Sequence, residues 1–136
     1  RACGDGVVTL CIVRLGSKRL PGEGTRIGTV RHLPRGVRKE RYAAEDWFDV
    51  WLPELAPSAA LVSKARTART EEAWRDFVRA FRAEMNAPGP RHALDLLAAL
   101  WHGAAFSLGC YCEDEARCHR SVLRALLAER GAAIAP

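Results

Sequence analysis

Three cysteines, a histidine and an arginine crowd the segment Cys110-Tyr-Cys-Glu-Asp-Glu-Ala-Arg-Cys-His-Arg120. Cys110 and Cys112 are two apart, so on an extended chain their side chains share a face. Cys118 and His119 stand where a helix is expected to begin. Unpaired amides and the helix dipole favour a thiolate there, and Arg120 adds positive charge. One expectation is therefore a catalytic constellation: Cys118 as nucleophile, His119 (or the distant His32) for proton transfer, and Arg120 as an anion contact. A second is zinc, since Cys110, Cys112, Cys118 and His119 would complete a tetrahedral set, although the common Cys-x2-Cys spacing is absent. A third is plain packing, because cysteine is among the most buried residue types. Spacing leaves the three open.

A second group lies near the other end of the chain. Leu15-Gly-Ser-Lys-Arg-Leu-Pro-Gly-Glu-Gly24 is a glycine-rich loop after an apolar run, and Ser17, Lys18 and Arg19 with loop amides could cradle a phosphate. It matches neither a Walker motif nor a dinucleotide fingerprint. Arg35, in Pro34-Arg-Gly-Val-Arg-Lys39, is a further anion contact, and Cys112 a further ligand-facing group. Ligands of open α/β sheets bind beyond the carboxyl ends of strands. If the strands before the two loops are parallel neighbours, both groups face one crevice.

The elements that must position these groups are legible in outline. Val7–Val13 reads as a buried strand, Arg26–Val30 as a short second one, and Ala104–Tyr111 as a third. Trp47, Trp51 and Leu55 fall at helical spacing over 46–55, with Pro53 limiting its regularity. Ser58 is the expected N-cap of a helix over 59–66, and Thr70-Glu-Glu opens another whose stripe is Trp74, Phe77, Val78, Phe81 and Met85. Pro88-Gly-Pro90 opens a third, with Leu94, Leu97, Leu100 and Trp101 inward. Val122, Leu123, Leu126 and Leu127 mark a last helix ended by Gly131. The order predicts one α/β domain over residues 1–136, a small, mostly parallel sheet flanked by helices.

Composition narrows the partners. Residues 1–45 hold ten Lys/Arg against four Asp/Glu, whereas the remainder is nearly balanced, so the +5 net charge is concentrated in the first third. That asymmetry favours an anionic partner, a small phosphate-bearing ligand or nucleic acid. No apolar run approaches the roughly 20 residues that span a bilayer, and no signal-peptide core is present, so no membrane and a cytoplasmic address are expected. Five cysteines, an odd number unevenly placed, predict reduced thiols rather than a disulfide framework.

Several segments together resemble a known family. Arg26-Ile-Gly-Thr-Val-Arg, Pro34-Arg-Gly-Val-Arg-Lys39, Asp49-Val-Trp-Leu-Pro-Glu-Leu-Ala-Pro-Ser58 and Cys110 through Ser121 are similar to the bacterial family called domain of unknown function 488. The resemblance covers about residues 7–131, and Leu-Ala-Pro-Ser and Cys-His-Arg-Ser are its most specific parts. Where the family typically has Arg-Leu-Trp-Pro-Arg-Gly, this chain has Arg31-His-Leu-Pro-Arg-Gly36, so His32 or Leu33 fills the place of the Trp. The resemblance implies a fold class and a motif, not an activity. The functional expectation is an enzyme acting on an anionic, phosphate-bearing ligand, a nucleotide or nucleic-acid component, through the Cys-His-Arg site. The rival is a nucleic-acid- or partner-binding module whose cysteines hold zinc or pack.

Overall fold

Every residue of the strand Phe106–Cys110 is buried, the signature of a strand covered on both faces. The computed structural model describes residues 10–136 and places this strand inside a sheet of order β1-β4-β2-β3. The strands are β1 (Cys11–Arg14), β2 (Thr25–Gly28), β3 (Val50–Trp51) and β4 (Phe106–Cys110). All pairings are parallel: Arg14 lies beside Cys110, Gly28 beside Gly109, and Ile27 beside Val50. The expected α/β class and parallel neighbours β1 and β4 are both present. Residues 7–9 of the first expected strand lie outside the described residues.

Side-chain alternation along β4 sorts the two faces. Phe106 and Leu108 join Leu10 and Ile27 in a core completed by α1 (Ala59–Thr67), α2 (Glu71–Met85), α3 (Pro88–Leu100) and α4 (His119–Glu129). Their main contributions are Leu61, Phe77, Phe81, Leu94, Leu97, Val122, Leu123, Leu126 and Leu127. Ser58 and Thr70 cap α1 and α2 as their types predict, accepting from the amides of Leu61 and Ala73. The other face is packed by connecting segments. Phe48 lies on Gly28, where an added Cβ would come within 2.6 Å of its ring, and Leu15 lies on Gly109.

Three expectations need correction. Residues 46–55 form no α-helix: Val50 and Trp51 add an edge strand to β2, and Pro53–Leu55 is a single 3-10 turn. Val50 suits a strand, Pro53 lacks the amide an α-helix needs, and Trp51 Nε1 donates to the Val30 carbonyl at 2.7 Å. Leu100 is 46% exposed rather than inward, because α3 ends there. Cys11 is disulfide-bonded, against the expectation of reduced thiols throughout, whereas Cys110, Cys112 and Cys118 are free. Cys3 lies outside the described residues.

A buried ion pair ties the connecting loops to the sheet. Arg26, on β2, is fully buried and donates to Glu23 from Nε at 2.7 Å and from a terminal nitrogen at 2.9 Å. Its other terminal nitrogen donates to the carbonyls of Ser17 and Asp46 at 2.8 and 2.7 Å. The Ser107 hydroxyl and the Leu20 amide complete the Glu23 carboxylate. Both charges are thus hydrogen-bonded, the condition under which a buried pair is tolerated. Gly24 closes this loop with φ +78, and the Ala105 carbonyl occupies the space a side chain would need.

Candidate functional site

The segments following β2 and β4 leave the same edge of the sheet and enclose a cleft of about 490 Å³. From β2 come Val30, Arg31, His32 and Arg35; from β4 come Tyr111, Cys112, Arg117, Cys118 and His119. Pro57, Val62, Ala65 and Arg66 form the wall at α1, and Phe77 reaches in from α2. Among the described residues, four arginines and two histidines line the cleft, and no carboxylate does. Arg31 is turned to the Pro57 and Ala56 carbonyls at 3.0 and 3.2 Å, and Arg117 pairs with Glu71 beside the Trp74 ring. Arg35 and Arg66 are exposed and make no hydrogen bond or ion pair with the described residues.

At one end of the cleft lie the sulfurs. The Sγ atoms of Cys110, Cys112 and Cys118 all fall within 4.8 Å of one another. β4 carries Cys110 to its carboxyl end, and Cys112, two residues on, returns to the same side with its Sγ 3.7 Å from that of Cys110. The 3-10 turn Glu115–Arg117, capped by Asp114, then swings the chain back so that Cys118 takes the N-cap position of α4, with no capping bond from its side chain. Cys118 is 2% exposed and packs with Leu15, Val30, Phe48 and Cys110, whereas Cys112 is exposed.

Arg120 is the strut of this loop. Nearly buried, it donates to the Val13 and Cys112 carbonyls at 2.7 Å each, and its Nε points at Cys118 Sγ at 3.5 Å. His119 is fixed from the other side. Its Nε2 lies 2.7 Å from the Thr29 carbonyl, which only accepts, so Nε2 carries the proton. Thr29 Oγ1 donates to the Gly109 carbonyl and sits 3.1 Å from the same nitrogen. The other ring nitrogen, Nδ1, faces Cys118 Sγ at 3.7 Å.

The sulfurs titrate as a unit. The Cys110 thiol is pushed up by its hydrogen bonds to the other two sulfurs and by burial. Hydrogen bonds from Cys110 and Cys118, with the Arg120 charge, pull Cys112 down to about 3, and those from Cys110 and His119 lower Cys118. Cys110 thus keeps its proton and shares it with its neighbours. Tyr111 is pushed up to about 12 by burial and by Cys110 and Tyr42, and its hydroxyl donates to the His32 carbonyl at 2.8 Å.

Over residues 10–131 the chain matches the family described as the active DUF488-N3 subclade. It belongs to the DUF488 family. The match takes in both walls of the cleft and the whole Cys-His-Arg segment, and starts at residue 10 rather than the 7 expected from motifs. No curated protein and no solved structure matches the chain significantly.

Within this DUF488 fold the sequence-derived site residues separate. Cys112, Cys118, His119 and Arg35 are brought together around one cleft, and Arg120 sits directly beneath it. The glycine-rich loop is not part of that wall. Arg19 is paired with Asp49 at 2.8 Å and Asp46 at 3.3 Å, and Ser17 Oγ donates to the Arg14 carbonyl. Lys18 is exposed outside the cleft. Of the four ligands a zinc reading would recruit, three cluster, and His119 is not in that group. Arg31, Arg66 and Arg117 were missed as cleft residues. Arg31 lay within the basic excess, but nothing in the sequence distinguishes Arg66 from the other arginines of a helix face.

Proposed function

We propose that this DUF488 protein is an enzyme that binds a small anionic, phosphate-bearing ligand in the cleft, a nucleotide or nucleic-acid component, and acts on it at the cysteine end. The observation that carries this reading is the lining among the described residues: four arginines, no carboxylate, and three thiols with an oriented imidazole at one end. Arg35 and Arg66, which have no partner among the described residues, take the anion contacts that sequence spacing offered to Arg19 and Arg120. A guanidinium fork suits phosphate oxygens. Val62, Pro57 and Tyr111 supply an apolar wall for a ring, and the cleft has the size usual for small-molecule sites. Cys112 is the sulfur a ligand meets, with Cys118 and His119 behind it and Arg120 holding the loop. The description of the matched subclade as active agrees with catalysis rather than simple packing.

Calorimetric titration with inorganic phosphate and with nucleoside monophosphates tests this directly. Saturable 1:1 binding is expected, weakened at least tenfold by Arg35→Ala or Arg66→Ala and unchanged by Lys18→Ala. No binding of any of these probes, with tight and steeply salt-dependent binding of long DNA or RNA instead, would replace the enzyme reading with the nucleic-acid module.

A further inference from the structure

The three sulfurs are more than a packed cluster. Tetrahedral zinc with Zn–S bonds of about 2.3 Å places neighbouring sulfurs about 3.8 Å apart. The Cys110–Cys112 separation is 3.7 Å, and all three Sγ atoms are mutually within 4.8 Å. The donors come from the end of β4, the following loop and the cap of α4, so sheet and helix hold them in place before any ion arrives.

We infer that Cys110, Cys112 and Cys118 bind one zinc ion, whose fourth position opens onto the cleft. Soft sulfur donors without a carboxylate among them select zinc over magnesium or calcium. Three thiolates and Zn(II) carry a net single negative charge. The structure supplies its complement in the Arg120 guanidinium, whose N–H points at Cys118 Sγ at 3.5 Å while its other nitrogens fix the Val13 and Cys112 carbonyls. Such donors beside a ligating sulfur orient it and tune the metal. His119 does not close the site: its ring nitrogens fall outside the group of mutually close sulfurs. All three sulfurs line the cleft that Arg35 and Arg66 also line, and Cys112 is exposed there. The fourth position is thus open to water or to an oxygen of the bound anion. This inference rests on the anion-cleft reading only for the identity of that fourth ligand. The zinc itself depends on the sulfurs alone.

The test is metal analysis of reduced, full-length protein, followed by chelator stripping and titration with Zn(II) or Co(II). One equivalent is expected, and Co(II) should give the intense thiolate charge-transfer and visible bands of a tetrahedral site. Cys112→Ser, at an exposed position, should fold with an unchanged circular dichroism spectrum and bind Zn(II) at least tenfold more weakly. The absence of thiolate–cobalt bands, or Cys112→Ser binding zinc as tightly as the parent, would overturn the inference. Phosphate titration of the stripped protein separates the two proposals. Zinc lost with phosphate retained removes only the metal site, and the reverse removes only the anion cleft.

Discussion

Cys112 and Cys118 bound one short loop, yet only the first is open to solvent. In reduced, metal-free native protein, iodoacetamide should label Cys112 first, with Cys110 and Cys118 reacting only after unfolding; peptide mapping of a time course reads the order. Early labelling of Cys118 would mean that the α4 cap is far less covered than its 2% exposure states. Residue types and spacing were enough to nominate the cluster, and they also placed a cysteine at a helix start. They could not say which thiol faces out. That depends on Leu15, Val30 and Phe48, which cover Cys118 from segments remote in the chain, and on Arg120, whose partners are the Val13 and Cys112 carbonyls. An arginine beside a cysteine reads as an anion contact until its partners are known. Here the backbone has claimed it. Arg120→Ala should therefore reduce stability by roughly 3 kcal/mol, since the buried Val13 carbonyl and the partly buried Cys112 carbonyl both lose their donor. Arg35→Ala, at an exposed side chain, should leave chemical denaturation midpoints unchanged.

Elements with strong local signals were legible almost to the residue. Thr70, Glu71 and Glu72 announced α2, and the Thr70 side chain accepts the Ala73 amide at 3.0 Å. Thr70→Ala should cost about 1 kcal/mol in urea unfolding while phosphate binding stays as it was. Residues 46–55 show the opposite case. Their aromatic spacing suggested a helix, but β2 has an open edge, and pairing Ile27 with Val50 and Gly28 with Trp51 outweighed local periodicity. Gly24 marks another point at which tertiary structure decides. Its positive φ and the Ala105 carbonyl beside its Cα both exclude a side chain. Gly24→Ala should destabilise by roughly 2–4 kcal/mol, a larger effect than the same change at Gly36, where φ is also positive but nothing crowds the space. Equal losses at the two glycines would show that crowding at Gly24 relaxes freely.

At the scale of the whole molecule, the Glu23–Arg26 pair couples stability to pH. Burial raises the Glu23 carboxyl, but hydrogen bonds from Arg26, Ser107 and the Leu20 amide outweigh it and hold the group below its ordinary range. A carboxyl depressed in the folded state stabilises fully above its unfolded value and loses that contribution as pH falls through the folded one. Acidification below about pH 4.5 should therefore lower the unfolding temperature. Glu23→Gln should start less stable by roughly 3–5 kcal/mol, because Arg26 keeps its buried charge without a counterion, and its acid dependence should be shallower. An equally steep dependence in that variant would assign the acid sensitivity elsewhere. No helix among the described residues is long and apolar enough to cross a membrane. The α/β class could be read from the order of elements, but the insertion of β4 between β1 and β2 could not, since no local pattern encodes which strands meet. That insertion has a consequence for biosynthesis. β1 and β2 leave the ribosome early but hydrogen-bond to β4, not to each other, so the sheet cannot be completed until residues 106–110 have emerged. Until then the nascent chain carries unpaired β edges, the hazard that makes non-local sheets slow to fold and prone to aggregate. A chain truncated before β4 should accumulate as insoluble material, whereas one truncated after residue 131 should retain the paired strands.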